Sequence, residues 1–277
     1  MGAKRFITLP ILTKNMTIEN PRKYGDTPYN IIVIHGGPGA PGEMIPVAEE
    51  LSSNYGILEP LQTKDSIEGQ VEELKSILDE NSSKPVILIG WSWGAWLAFI
   101  FTAKYPKYVE KLILIGSGPF EENYSKEIMK TRLSRLTEDE KVKLESLMKS
   151  LNDPSSKNKE ILMKDFGKLM SKADSYQSIP HDETVLEFQL DIYQKVWSEA
   201  SELRKSDKLI EYSKYIQCPV IAIHGDYDSH PFEGVKIPLS KTIKDFKFIL
   251  LKNCGHHPWY EKLTKDKFYE ILRRELD

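Results

Sequence analysis

Short apolar runs alternate along this chain with amphipathic stretches, a rhythm that predicts parallel strands joined by helices. Ile31 to Ile34, Val86 to Ile89, Lys111 to Ile115, Pro219 to Ile223 and Phe246 to Leu251 read as strands, with briefer runs near residues 5 to 9 and at Gly56 to Leu58. Ile67, Val71, Leu74, Ile77 and Leu78 recur at three- and four-residue steps and predict a helix with one apolar stripe. From Phe120 to about Lys205 the strand pattern stops and charged helical segments take over. Thr137-Glu138-Asp139-Glu140 reads as a capping box that opens a helix through Leu144, Leu147 and Leu151. A stretch of that length is too long for an ordinary crossover between two strands and predicts an inserted helical cap. The expected organisation is a core of residues 1–118 and 206–277, with the cap at 119–205.

Pro85 to Ala103 is free of charge and long enough to cross a bilayer. Gly90, Ser92 and Gly94 interrupt it, however, so it reads as a buried strand, a tight turn and a buried helix. The turn is Gly90-Trp91-Ser92-Trp93-Gly94, a G-x-S-x-G placed where a strand enters a helix. Such a turn pushes the serine out of the sheet, and the helix behind it aims its first N–H groups at the reacting centre.

A serine hydroxyl is a weak nucleophile and needs an imidazole to take its proton, with a carboxylate to orient that imidazole. Two later strand-like runs end in loops that carry both groups. One loop is His224-Gly225-Asp226-Tyr227-Asp228; the other is Asn253-Cys254-Gly255-His256-His257-Pro258. Side chains beyond the ends of parallel strands share one edge of the sheet, where open α/β sheets build their sites. Spacing alone leaves Asp226 and Asp228 both open, and likewise His256 and His257. The loop after Ile34, His35-Gly36-Gly37-Pro38-Gly39, offers backbone N–H groups; Gly37 and Trp93 are the expected donors to a tetrahedral oxyanion.

HGGPG at 35–39, GWSWG at 90–94, HGDYD at 224–228 and GHHPWYE at 255–261 together resemble the α/β-hydrolase superfamily, most closely the proline iminopeptidase-like serine hydrolases. The resemblance spans residues 35 to 261. It implies an α/β-hydrolase fold, with a mostly parallel sheet flanked by helices. It also implies Ser92 as nucleophile, Asp228, three residues after Gly225, as the acid, and His256, directly after Gly255, as the base. Asp226 is then a turn residue and His257 a loop residue. Two departures bear on the substrate. Iminopeptidases carry an Asp-x-Arg-Gly-x-Gly-x-Ser loop where this chain has Glu59-Pro60-Leu61-Gln62-Thr63-Lys64-Asp65-Ser66, and they have glycine in place of Trp91.

The expected activity is hydrolysis of a small ester or amide through an acyl-enzyme. The alternatives are an iminopeptidase-like aminopeptidase and a non-catalytic binding protein of the same fold. A free amino terminus on the substrate would call for a cap carboxylate, with Glu121, Glu122, Asp191 and Glu199 as candidates. Trp91, Trp93, Tyr193 and Trp197 are expected as apolar pocket walls, and Trp96 as core.

Composition narrows the partners. Lys and Arg number 38 against 41 acidic residues in 277, a net charge of −3, which disfavours nucleic acid or an anionic membrane. The expected partner is a small-molecule or short-peptide substrate. H-E-x-x-H, paired C-x-x-C and the P-loop pattern do not occur, and the G-x-G strings are not read as a dinucleotide-binding G-x-G-x-x-G opening a helix, so neither a metal nor a nucleotide cofactor is expected. The first residues do not read as a signal peptide, which gives a cytoplasmic expectation. Cys218 and Cys254 fall at opposite edges of the predicted sheet, too far apart to pair.

Overall fold

The computed structural model describes residues 19–181 and 188–276. Among the described residues, seven strands form one sheet: β1 (Arg22–Tyr24), β2 (Tyr29–Ile34), β3 (Gly56–Glu59), β4 (Val86–Trp91), β5 (Val109–Ile115), β6 (Val220–Gly225) and β7 (Phe246–Leu251). Their spatial order is β1-β3-β2-β4-β5-β6-β7. Only β1 runs antiparallel, against β3; every other pairing is parallel. The described helices are α1 (Ile45–Leu51), α2 (Ile67–Asn81), α3 (Trp93–Lys104), α4 (Glu122–Arg135), α5 (Glu138–Asn152), α6 (Lys159–Asp174), α7 (Leu190–Lys205), α8 (Lys208–Glu211), α9 (Glu233–Thr242) and α10 (Lys265–Leu276).

Both faces of the sheet are buried, which is why its strands read as unbroken apolar runs. Alternate residues divide between two cores. Ile32, Ile34, Leu88, Leu112 and Leu114 face α2 and α3, whereas Ile31, Val33, Ile89, Ile113 and Ile115 face α1 and α10. Helix α3 is apolar all round, with every residue from Trp93 to Ala103 buried, and forms the spine of the first core. The predicted strands and the Ile67 helix are present. The apolar run at 5–9 lies outside the described residues, and β1, only three residues of mixed polarity, has no counterpart among the expected strands.

Between β5 and β6 come α4 to α8, and they are not uniform. Helices α4 to α6 gather their own small cluster of Leu136, Leu144, Leu147, Leu169, Met170 and Ala173. Helix α7 instead places Ile192, Val196 and Ala200 in the core that contains α3. Thr137 does cap α5, with Glu140 returning the bond to the Thr137 N–H. Among the described residues, no helix is long and apolar enough to cross a membrane.

Phe99 of α3 is fully buried and meets Phe120, where the insertion begins, edge to face at 4.7 Å. Phe99→Ala is expected to lower unfolding stability by about 3–5 kcal/mol through the cavity it leaves. Urea unfolding midpoints at unchanged slope would measure that loss, and a shift under about 1 kcal/mol would contradict the packing described.

Candidate active site

Ser92 occupies the step between β4 and α3 with φ 54° and ψ −117°, a backbone region that residues with a side chain rarely enter. The flanking glycines make this possible. A Cβ at Gly90 would sit 2.2 Å from the Gly94 carbonyl, and one at Gly94 would sit 2.2 Å from that of Ile34. The turn is tied to the neighbouring strand by the Ser92 N–H, which donates to Ile115 at 3.0 Å.

Beside Ser92, the structure brings together the groups singled out in the sequence. His256 Nε2 lies 3.1 Å from Ser92 Oγ, and His256 Nδ1 lies 2.6 Å from Asp228 Oδ2. An ionised carboxylate only accepts, so His256 carries its proton on Nδ1 and presents the Nε2 lone pair to the serine hydroxyl. The Asp228 carboxyl is buried, and burial, the largest influence, acts to raise its pKa. The facing imidazoles of His256 and His230 outweigh that and hold it well below the usual carboxylate range. Gly116, at φ 49°, leaves room for the pair, since a Cβ there would stand 3.2 Å from His256 Nδ1 and 3.4 Å from Asp228 Oδ2.

Asp226 and His257 lie aside from this chain of bonds. Asp226 Oδ1 accepts from the Cys254 N–H at 3.4 Å and its Oδ2 faces Lys252, so its carboxylate reaches across to the loop after β7 instead of bonding N–H groups of its own turn. His257 packs against Trp91, with ring centres 4.4 Å apart, and burial pushes its pKa down to about 3.

On the other side of Ser92 the loop after β2 presses against the turn: a Cβ at Gly36 would strike the Trp91 ring at 2.4 Å. The next residue, Gly37, has φ 21°. Trp93 is the first residue of α3, so its N–H has no acceptor within the helix. Behind this loop lies a buried polar set that sequence pattern did not reveal. The Trp93 indole donates to Gln62 Oε1 at 2.9 Å and to Gln70 Oε1 at 3.2 Å, and Gln62 Nε2 donates to the His35 carbonyl at 2.9 Å. Gln62 belongs to the stretch that departs from the iminopeptidase pattern.

The His256 loop is anchored by groups that lay in plain view without a role. Glu261, buried, accepts from the N–H groups of Gly255, Tyr176 and Gln177 at 3.0, 2.8 and 2.7 Å. The His256 N–H donates to the Asp174 carbonyl at 2.9 Å, and the Asp174 carboxylate is gripped by Arg132 of α4, with Nη2 to Oδ2 at 2.6 Å. The insertion thus holds the His256 loop through its backbone. Glu261 was legible only as part of the 255–261 motif, and Arg132 and Asp174 lie 42 positions apart with no local signal.

The expected pocket residues fare unevenly. Trp91 is not a pocket wall: it is 3% exposed in the core beside α10, because it ends β4 on that face, and its indole donates to the His256 carbonyl at 2.9 Å. Trp93 is likewise buried, its indole spent on the two glutamines. Glu199 accepts from the Ile67 N–H at 2.8 Å, one of the unpaired donors at the start of α2, so it caps a helix and faces no pocket. Glu122 pairs with Arg204. Trp197 is 36% exposed, stacks on the buried Trp96 at 5.9 Å and lies alongside Tyr193 at 6.5 Å.

Cys218 and Cys254 are both free and buried, and burial pushes their thiols up to about 11 and about 12. Neither is a thiolate at neutral pH. Asp228, His230 and His256 approach one another closely enough for a metal, but their hydrogen bonds to the one carboxylate account for that closeness.

A profile of the alpha/beta hydrolase fold matches residues 29–263. Among curated proteins, a proline iminopeptidase of Saccharolobus solfataricus is 24% identical, covering 100% of this chain and 92% of that protein. A proline iminopeptidase of Lactobacillus crispatus is 26% identical over 89% of each. Among solved structures, the enol-lactonase from Burkholderia xenovorans superposes with a TM-score of 0.59 at 16% identity, covering 93% of this chain and 95% of that one.

His35 is fully buried, and burial pushes its pKa from 6.5 down to about 4, against the raising effect of the Gly36 and Leu61 carbonyls. As pH falls below 6.5 the unfolded chain takes up a proton that the folded chain refuses until about 4, so folding stability is present above that window and lost within it. Between pH 7 and pH 5 this one group removes about 2 kcal/mol. His35→Gln is expected to show a shallower loss in urea titrations at the two pH values; an identical loss would contradict this assignment.

Proposed function

The chain belongs to the alpha/beta hydrolase fold family, and on that footing we propose that it is a serine hydrolase acting on small esters through an acyl-enzyme. The observation that carries this reading is the continuous line of bonds from Ser92 Oγ through the His256 ring to Asp228, at 3.1 and 2.6 Å. Ser92 Oγ attacks the ester carbonyl carbon while its proton passes to His256 Nε2. The carbonyl oxygen becomes an oxyanion facing the N–H groups of Gly37 and Trp93, and the start of α3 adds its partial positive charge. Collapse breaks the bond to the leaving oxygen, which takes the proton from His256. Water then gives a proton to the same nitrogen and attacks the acyl carbon. Release of the acid returns that proton to Ser92 Oγ.

Asp228 stabilises the imidazolium formed in each half-reaction and remains ionised. Residues 119–205 serve as a cap over the site, and the exposed Trp197 face with Tyr193 supplies apolar wall. The buried thiols of Cys218 and Cys254 suit a reducing compartment such as the cytoplasm.

An ester fits better than an aminoacyl amide because an ammonium needs a spare carboxylate. Of the four cap candidates, Glu199 and Glu122 are bound elsewhere, and the buried Asp174, whose backbone holds the His256 loop, is paired with Arg132. The iminopeptidase relatives favour the second reading, removal of an N-terminal residue.

Ser92→Ala is expected to lower kcat for a p-nitrophenyl ester on the order of 10⁴- to 10⁶-fold with folding intact; near-full turnover would contradict the proposal. With an aminoacyl arylamide and its N-acetylated form, the enzyme is expected to be slow on both and indifferent to the free amine. A strong preference for the free amine would replace the esterase reading with the peptidase one.

A further inference from the structure

Asp228 serves more than one histidine. Its Oδ1 accepts both the backbone N–H of His230, at 2.9 Å, and the ring Nδ1–H of the same residue, at 2.7 Å, while Oδ2 accepts from His256 at 2.6 Å. The two imidazoles lie side by side, 4.5 Å between ring centres and 25° between planes. Resting on the hydrolase reading, we propose that His230 is a positioning residue of the site: a second, neutral imidazole that occupies Oδ1, fixes the carboxylate plane and lowers the basicity that His256 meets at Oδ2.

The geometry defines the tautomer. Asp228 only accepts, so His230 holds its proton on Nδ1. His224 Nε2 donates to the His230 carbonyl at 2.9 Å and stands 3.4 Å from Asp228 Oδ2, pinning the backbone of the loop from beneath. The groups bearing on this imidazole come from every side. Asp228 lies in its own segment, His224 of β6 holds its carbonyl and is itself faced by Glu233, His256 follows β7, Arg132 reaches from α4 and Asp174 from α6. Burial, together with the neighbouring His256 and Arg132, pushes the His230 pKa below the ordinary histidine value in spite of Asp228.

A carboxylate with both oxygens engaged is a weaker base than one with a single partner. The imidazolium formed at His256 during turnover is therefore stabilised less strongly, which extends the active range toward acid. The same donor prevents Asp228 from turning away from His256. A surface histidine that merely filled space would do neither.

The test uses the full-length protein. In His230→Phe, which keeps a ring beside His256 but removes the donor, the acid limb of kcat/KM for a p-nitrophenyl ester is expected to rise by about one pH unit. On the plateau kcat is expected to fall about tenfold with KM unchanged. His230→Gln, which restores a donor, should recover part of both. Histidine ¹⁵N spectra give a reading that needs neither turnover nor a variant. In the wild type, the His230 ring should carry its proton on Nδ1 and titrate below the ordinary histidine value. An acid limb and plateau kcat within twofold of wild type in folded His230→Phe would overturn the proposal. So would a wild-type His230 that titrates near 6.5 or carries its proton on Nε2. If Ser92→Ala retains full turnover, the hydrolase reading fails, and the ¹⁵N tautomer and titrations still decide the role of His230.

Discussion

Burying a carboxylate costs several kcal/mol unless its oxygens are satisfied, and the edge of the sheet that carries Ser92 is arranged around meeting that cost at Asp228. Its two oxygens take bonds from His256, from the ring and backbone of His230, and stand within reach of His224. Each bond does a second thing. The one to Oδ2 sets the tautomer of His256 and leaves its other nitrogen bare toward Ser92. Those to Oδ1 immobilise the carboxylate that sets it. Stability of the loop and chemistry of the site therefore rest on the same few hydrogen bonds.

The sheet makes that convergence possible. Because β4, β5, β6 and β7 run parallel, the ends that carry Ser92, Gly116, Asp228 and His256 lie on one rim. The strain held at Ser92 is maintained by packing on both sides of β4 and by the buried α3 that follows. Trp91 and Trp93 flank the serine and point to opposite cores. One fixes the loop after β7 through the His256 carbonyl, and the other ties the helix start to the glutamines behind the Gly37 loop.

What could be read from sequence was whatever is local and periodic. The strands, the Ile67 helix, the Thr137 capping box and the three motif loops each announce themselves within a dozen residues, and the order of strand ends then brings Ser92, Asp228 and His256 to one edge. The supports are pairs far apart in the chain: Arg132 with Asp174, Glu261 with Tyr176, Gln62 with Trp93, Glu199 with Ile67. Periodicity carries no information on such contacts. Trp91 was misread as pocket wall for a related reason. A tryptophan beside a nucleophile suggests a ligand surface, but only the pleat of β4 decides which core receives it. His230 stood two residues from Asp228, yet nothing in its spacing indicated that its ring would turn back to the same carboxylate.

The central claim is that this buried carboxylate, acting through His256, makes Ser92 the atom that takes the acyl group. Quenching the enzyme in acid during turnover of a slowly deacylating aryl ester, then mapping the acyl mass by peptide mass spectrometry, tests it most directly. The account predicts one acyl group per chain on the peptide containing Ser92, and its loss when Asp228 is changed to Asn. Turnover with no adduct on Ser92, or an adduct on another residue, would contradict it.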